Sequence, residues 1–173
     1  VQELVEYERF CRDNHLWEQM RSCYAGASSV KVSWYQGTGA GFVDASSNMN
    51  VAAPHKLNNT LVWLCGSKAA AVTMASIQMR TWVGDCQMDL TSYVRFLFKV
   101  IKQDEEWRIL SMECIYEKDS LVPAAPELLT ERNTGEFRNS YQNLAAVLCL
   151  EGYRIDNNLP GDDVPESVDS LYQ

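Results

Sequence analysis

The sequence predicts an α+β fold in which amphipathic helices pack on one face of a single curved antiparallel sheet. Helical periodicity is confined to the N-terminal region and to one segment after Pro123. Between them lie long segments rich in β-branched and aromatic residues, separated by short polar turns. Helices first and strands after are typical of α+β domains. The 173 residues suffice for one such domain with a substantial core.

Two short helices are predicted over residues 3 to 24. In the first segment, "QELVEYERFCRDN", one stripe combines apolar and charged side chains: Leu4, Val5, Glu8, Cys11 and Arg12. In the second, "LWEQMRSCY", Leu16, Met20 and Cys23 recur at helical spacing. An αα-hairpin with almost no loop is expected.

The strands follow. "SSVKVSWY" alternates in polarity, and "TLVWLC" is a short apolar run that ends at the turn Gly66-Ser67. Residues 69–81, 90–102 and 106–118 are predicted to form adjacent antiparallel strands. The alanine-rich first of these could also be a helix, but β-branched residues and turn signals at both ends favour a strand.

Three glycines in "QGTGAGF", residues 36–42, raise the question of a phosphate-binding loop. The spacing is G-x-G-x-G, Phe42 stands where a third glycine belongs, and no long amphipathic helix follows. A dinucleotide site is therefore not expected. We predict a mobile segment over residues 37–50, because Gly37, Gly39 and Gly41 restrain the backbone little.

The chain is predicted to divide into a main domain, residues 1–121, and a C-terminal extension, residues 122–173. The extension contains one amphipathic helix in "TGEFRNSYQNLAAVLCLEGY", ended by Gly152. Its last residues are acidic and are expected to lie extended over the surface.

Composition excludes several classes of function. The net charge of −8 argues against nucleic acid and anionic membranes as partners. No apolar run approaches the roughly 18 residues that a membrane span needs, and the acidic N-terminal stretch is unlike a signal peptide. Six scattered cysteines without a C-x-x-C pair predict reduced thiols, with no disulfide and no metal site, in a cytoplasmic protein.

Few residues are candidates for chemistry. His55 opens a strand in "APHKLNN", and Asp13 ends the first helix. A carboxylate beside an imidazole orients it and raises its basicity. Arginine and tyrosine stabilise a developing oxyanion, so Arg80, Tyr93 and Arg95 are candidates for that role. The alternatives are an ordinary structural histidine, a helix cap at Asp13, and cross-strand ion pairs at the arginines.

Four segments, "DNHLW", "APHKLNN", "IQMRTW" and "SYVRFLFKVIKQDEEWRILSMECIYEKDSL", resemble in order and spacing the SnoaL-like proteins of the nuclear transport factor 2-like superfamily, to which scytalone dehydratase is related. The resemblance covers roughly residues 3 to 121, and the tail resembles extensions found on some SnoaL-like proteins. It implies an α+β cone with a deep pocket, homo-oligomers such as dimers or trimers, and cofactor-independent Asp–His chemistry.

The resemblance also assigns residues. Asp13, four residues before Trp17, matches the dehydratase aspartate, and His55 matches its first histidine. Arg12 replaces a tyrosine, and the second histidine falls on Arg80. The later serine and asparagine fall near Tyr93 and Arg95, so the scytalone reaction itself is not expected. The remaining residues expected at the pocket are Met74, Gln78, Met112, Trp34 and Phe42, the last as part of a flexible lid.

The sequence thus predicts a cofactor-independent lyase or isomerase acting on a small apolar carbonyl compound. Asp13, His55 and Arg80 are its candidate catalytic residues. The alternative is a non-catalytic module of the same fold that binds a ligand or a protein. A buried Asp13–His55 hydrogen bond inside one pocket favours the enzyme.

Overall fold

The structure, a computed structural model, describes residues 1–125 and 137–172. The first half contains helices α1 (Gln2–Asp13) and α2 (Trp17–Ser22), strands β1 (Tyr24–Val32) and β2 (Tyr35–Thr38), and helix α3 (Gly39–Ser47). The second half contains strands β3 (His55–Cys65), β4 (Lys68–Val83), β5 (Cys86–Gln103) and β6 (Glu106–Pro123), and helices α4 (Gln142–Leu150) and α5 (Pro165–Tyr172). Residues 126–136 of the predicted extension and Gln173 lie outside the described residues.

The six strands form one curved sheet in the order β2-β1-β6-β5-β4-β3. All neighbours are antiparallel except β1 and β6, which pair in parallel. Two-residue turns join β3 to β4, β4 to β5 and β5 to β6. The last turn places both Asp104 and Glu105 at positive φ, as a type I′ hairpin requires. The predicted α+β fold, N-terminal helices and long hairpin strands are confirmed.

One face of the sheet carries the main core. Helices α1, α3 and α4 pack on it, and its largest fully buried side chains include Phe42, Phe96, Phe98, Tyr116 and Tyr141. The opposite face is covered in one place by α5, where Val168 packs against Val72, Leu97 and Ile115. We call the face with the main core the inner face and the opposite one the outer face. Among the described residues, the inner face borders a cavity.

The predicted mobile segment at residues 37–50 is wrong in its main part, because residues 39–47 form α3. Thr38 caps this helix, since its side chain accepts a hydrogen bond from the Gly41 amide at 3.1 Å. The glycines allow close packing: a Cβ on Gly39 would lie 2.5 Å from Tyr24, and one on Gly41 2.4 Å from the Tyr35 hydroxyl. Phe42 is 1 % exposed, so it is a core residue rather than part of an open lid.

The C-terminal residues are more regular than predicted. Helix α4 ends close to Gly152, whose φ is 87°, and the predicted stop is confirmed. The tail, expected to be extended, instead forms α5 with Pro165 at its first position, where proline costs no hydrogen bond. Both helices pack on the sheet. No helix among the described residues has the length and apolar character to span a membrane.

Candidate active site

A largely apolar cavity lies between the inner face of the sheet and helices α1, α3 and α4. The cavity is small, with a volume of about 30 Å³. Apolar side chains line most of it: Val32, Trp34, Phe42, Met49, Ile77, Met79, Phe96, Leu144 and Leu148. The polar lining comes from Arg9, Arg12, Ser33, His55, Cys114 and Tyr116. A ligand of more than a few heavy atoms requires side chains to move.

His55, which lines this cavity, pairs with Asp13 beside it, and the two side chains are 4 % and 14 % exposed. Asp13 Oδ1 lies 2.9 Å from His55 Nδ1, and Asp13 Oδ2 accepts the His55 backbone N–H at 2.5 Å. The pair forms because α1 ends at Asp13, and β3 begins at His55 after Pro54. Since an ionised carboxylate can accept a hydrogen bond but cannot donate one, the imidazole proton lies on Nδ1. His55 Nε2 therefore keeps a lone pair.

The electrostatics keep this imidazole neutral. Burial lowers the pKa of His55 to about 4, and the nearby charges of Arg12 and Arg9 act in the same direction. Asp13 opposes them but does not outweigh them. Burial alone would raise the pKa of Asp13, yet its hydrogen bonds and charge interactions with His55 and Arg12 hold that pKa below the usual value. At neutral pH the pair is an ionised carboxylate and a neutral imidazole.

Two arginines from α1 reach the same cavity. Arg9 is 2 % exposed; its Nε and Nη2 donate to Glu8 at 2.5 Å, and its guanidinium lies over the rings of Phe42 and Phe96. Tyr24 also donates to Glu8, at 2.8 Å. Although burial disfavours its charge, Glu8 raises the pKa of Arg9.

Arg12 is 8 % exposed and donates from Nη1 to the Ala53 carbonyl at 3.2 Å and to Asp13 at 3.3 Å. Two carboxylates, Glu8 and Asp13, therefore balance the two guanidinium charges. Sequence reasoning placed Glu8 and Arg12 on the stripe of the first helix but assigned neither a role at the site, and it did not single out Arg9. The signal was present: Glu8 and Arg12 share the stripe of Val5 and Cys11, and charges on a buried stripe are costly unless they are paired.

Arg80 is not at the cavity, contrary to the prediction. Its side chain is 58 % exposed on the outer face, where Nε and Nη2 donate to Asp89 at 2.6 Å. The open alternative of a cross-strand ion pair is the correct one here, since Arg80 and Asp89 are direct partners in the β4–β5 register.

Three further expected pocket residues also belong to the outer face. Met74 is 42 % exposed, and Tyr93 is 40 % exposed beside the ammonium of Lys118. Gln78 shares the face of Met74 by the strand period of two, while Ile77 and Met79, one position on either side, line the cavity. The period-two grouping of β4 was right, but its assignment to the inner face was wrong.

Arg95 is an anchor for the C-terminal segment. It donates to Glu117 at 2.9 Å, to Asp162 at 2.7 Å and to the Tyr172 hydroxyl at 3.2 Å. These bonds hold α5 on the outer face and leave Arg95 away from the cavity. Its expected role in substrate binding is therefore wrong.

The other expected residues lie on the inner side. Trp34 and Phe42 line the cavity, with ring centroids 5.6 Å apart. Met112 is fully buried, 3.9 Å from the Tyr24 hydroxyl, and it lies in the core rather than among the lining residues. Trp34 and Phe42 are thus placed to contact a ligand, and Met112 is not.

Cys114 and Tyr116 are poorly suited to covalent or acid–base chemistry. Burial raises the pKa of Cys114 to about 12 and that of Tyr116 well above its usual value. The Tyr116 hydroxyl accepts the Ser33 amide proton at 2.9 Å, which fixes the ring. The thiol stays protonated at neutral pH and is unreactive as a nucleophile. Among residues 1–125 and 137–172, no cluster of three His, Cys, Asp or Glu side chains has a metal-binding arrangement.

No family model and no curated protein sequence matches this chain. Structural comparison does find similar proteins. A putative scytalone dehydratase from Novosphingobium aromaticivorans has a TM-score of 0.57 at 13 % identity, over 75 % of this chain and 92 % of that chain. The type 3 hexachlorocyclohexane dehydrochlorinase LinA from Novosphingobium barchaimii has a TM-score of 0.60 at 12 % identity, over 76 % and 92 %.

A protein of unknown function from Mycobacterium tuberculosis aligns over 88 % of this chain and 92 % of its own, with a TM-score of 0.56 at 13 % identity. Identities this low establish the fold alone. The fold of this chain is that of the nuclear transport factor 2-like proteins, as the sequence resemblance implied.

Proposed function

We propose that this protein is a cofactor-independent lyase or isomerase whose general base is His55. One observation carries the proposal: a buried imidazole, neutral and oriented by Asp13, on the wall of an apolar cavity. An enclosed apolar pocket with a few polar groups and a perturbed titratable residue is typical of an active site. The substrate is a small, largely apolar carbonyl compound of the polyketide or terpenoid kind.

In the proposed mechanism, His55 Nε2 takes a proton from the carbon next to the carbonyl group. The electrons of that C–H bond move to the carbonyl oxygen and form an enolate, while His55 becomes a cation held by Asp13. The enolate then expels a β-hydroxyl group, which takes the proton from His55 and leaves as water. In an isomerase, the same proton instead returns to another carbon.

Charge balance supports such a step. The formal charges of the side chains around the cavity sum to zero, because Glu8 and Asp13 are negative and Arg9 and Arg12 are positive. Proton transfer creates one cation on His55 and one anion on the substrate, so the site stays balanced. Arg9, whose Nη1 is not engaged by Glu8, replaces Arg80 as the candidate donor to the enolate oxygen. Donors already positioned for a developing oxyanion are among the largest contributions to catalysis.

The structural neighbours support the lyase class. One is named as a putative dehydratase and another as a dehydrochlorinase, and both names describe an elimination. Eliminations of water or hydrogen chloride start with removal of a proton next to the leaving group, which is the step proposed for His55.

The test uses metabolites from cells that express the chain, compared with cells that do not. Extracts are incubated in D₂O with wild-type protein or with His55→Gln, and mass spectrometry detects compounds that lose water or gain deuterium. Arg80→Met is the matched control, since it removes an arginine outside the cavity. We expect a change with the wild type and the control but not with His55→Gln. A change that persists in His55→Gln contradicts the base assignment.

A second candidate is a non-catalytic module that binds a small ligand. The small cavity favours it, because a volume of about 30 Å³ leaves little room for a substrate and its reaction. If no compound changes in the D₂O experiment, while a small molecule is retained by the wild type and released on unfolding, the binding module is the better description.

A further inference from the structure

The guanidinium of Arg12 is only partly used by the protein. Its Nε atom is buried and has no hydrogen-bond partner within the described residues. In the same part of the chain, Nη2 contacts only the sulfur of Met49, at 3.3 Å, and a thioether is a weak acceptor. Within residues 1–125 and 137–172, Nη1 is the one atom of this guanidinium with oxygen partners. A buried charged donor without a partner is costly, so this side of Arg12 calls for an acceptor that the protein does not supply.

The unused side is the one that binds carboxylates elsewhere in this chain. Arg9 places Nε and Nη2 on Glu8, Arg80 places the same two atoms on Asp89, and Arg138 places them on Asp163. Such side-on pairing matches the two oxygens of a carboxylate. Arg12 presents the same pair of donors on the wall of the cavity, with Met49 in place of the carboxylate.

We propose that the cavity takes a small organic acid whose carboxylate is bound side-on by Nε and Nη2 of Arg12. This deepens the proposed function, on whose cavity it rests, by adding a carboxylate to the substrate. The apolar lining receives the body of the acid, with Trp34 and Phe42 as flat walls. The unbranched side chain of Met49 adapts readily, and its displacement from Nη2 opens space for the acid.

The electrostatics of the cavity support an anionic ligand. Although the formal charges around the cavity sum to zero, burial and the neighbouring Arg9 charge lower the pKa of Arg12, and the opposing influence of Asp13 does not outweigh them. The charges that face His55 come from α1, namely Arg9, Arg12 and Asp13. An anion on Arg12 offsets the arginine charges and raises the pKa of His55 from about 4 towards neutrality. A base is most effective when its pKa lies near the working pH. Binding of the acid would therefore make His55 a more effective base.

The experiment measures binding of three acids of increasing size (formate, isobutyrate and benzoate) and of the three corresponding amides. Isothermal calorimetry gives the affinity, and NMR follows the His55 ring. We expect at least one acid to bind at least about tenfold more tightly than its amide, since charge-assisted hydrogen bonds are the stronger ones. We also expect the His55 pKa to rise on binding. If no acid binds, or if each acid and its amide bind equally, the proposal is wrong.

Variants locate the site. Arg12→Met should abolish the preference for the acid, and Arg12→Lys should keep part of it because it keeps the charge but loses the planar pair of donors. Arg80→Met, which removes the same pair of donors from the outer face, should bind as the wild type does. Thermal unfolding of each variant checks the fold, and the comparison of acid with amide on the wild type needs no variant. An undiminished preference in a folded Arg12→Met refutes the assignment.

The two proposals fail separately. His55→Gln should still bind the acid while it loses turnover. Acid binding that depends on Arg12, without any turnover that depends on His55, would leave this inference standing and refute the proposed function. If the wild type turns over a neutral carbonyl compound but binds no acid, the proposed function stands and this inference is refuted.

Discussion

Stability against pH gives a test of the buried imidazole that needs no substrate. His55 has a pKa of about 4 when folded, against 6.5 as the ordinary value. Between these values the unfolded chain binds more protons, so acid favours unfolding. The difference of about 2.5 pKa units, at about 1.4 kcal/mol each, destabilises the fold by about 3 kcal/mol at pH 4 relative to neutral pH. Between pH 7 and pH 5 alone, the free energy of unfolding falls by about 2 kcal/mol.

The assay is urea unfolding of the wild type and of His55→Gln at several pH values from 5 to 7. Groups that do not contact His55 titrate alike in both proteins, so the difference between them isolates His55 and its partner Asp13. In the wild type the pKa of Asp13 is lowered, so its contribution is lost only below this window. His15→Asn is the control: His15 is exposed and at a φ of 61°, which asparagine tolerates. Parallel pH curves for the wild type and His55→Gln would refute the buried neutral imidazole.

Three further predictions concern single substitutions. Gly39→Ala should lower stability by about 1–3 kcal/mol through overpacking, since the new Cβ would lie 2.5 Å from Tyr24. Gly26→Ala is the control and should be neutral in thermal unfolding, because a Cβ there meets nothing within 4 Å. Equal effects of the two substitutions would favour the flexible-loop interpretation. Arg80→Met should leave turnover and the thermal midpoint unchanged, and a loss of turnover would return Arg80 to the site. Asp13→Asn should lower the pKa of His55 further in an NMR titration, because Asp13 raises it; an increase would contradict the electrostatics described here.

Backbone elements were readable from the sequence where local signals agree. Alternation, β-branched residues and polar turns located β4, β5 and β6, and their predicted ranges lie within the observed strands. Helix α3 was missed because three glycines outweighed a readable signal, the N-cap residue Thr38. Helix α5 was missed because acidic residues dominate its segment, although Pro165 at its first position was a start signal.

Side-chain orientation was harder to predict. The period of two shows which residues of β4 share a face, but it does not show which face is enclosed. The polar row with Gln78 and Arg80 was assigned to the cavity on chemical grounds, while the structure places the apolar row with Ile77 and Met79 there. The cationic groups of the cavity come instead from Arg9 and Arg12 of α1. Their burial depends on the whole fold and is not visible in the local sequence.

A double-mutant cycle tests whether Asp13 and His55 act as one catalytic unit. It measures turnover of the compound found in the D₂O experiment. His55→Gln and Asp13→Asn should each reduce kcat by about 10²–10⁴-fold, the usual contribution of a positioned base. The double variant should be no slower than the slower single variant, because residues that act as a unit are strongly non-additive. Multiplied losses in the double variant, or full activity in His55→Gln, would contradict the account.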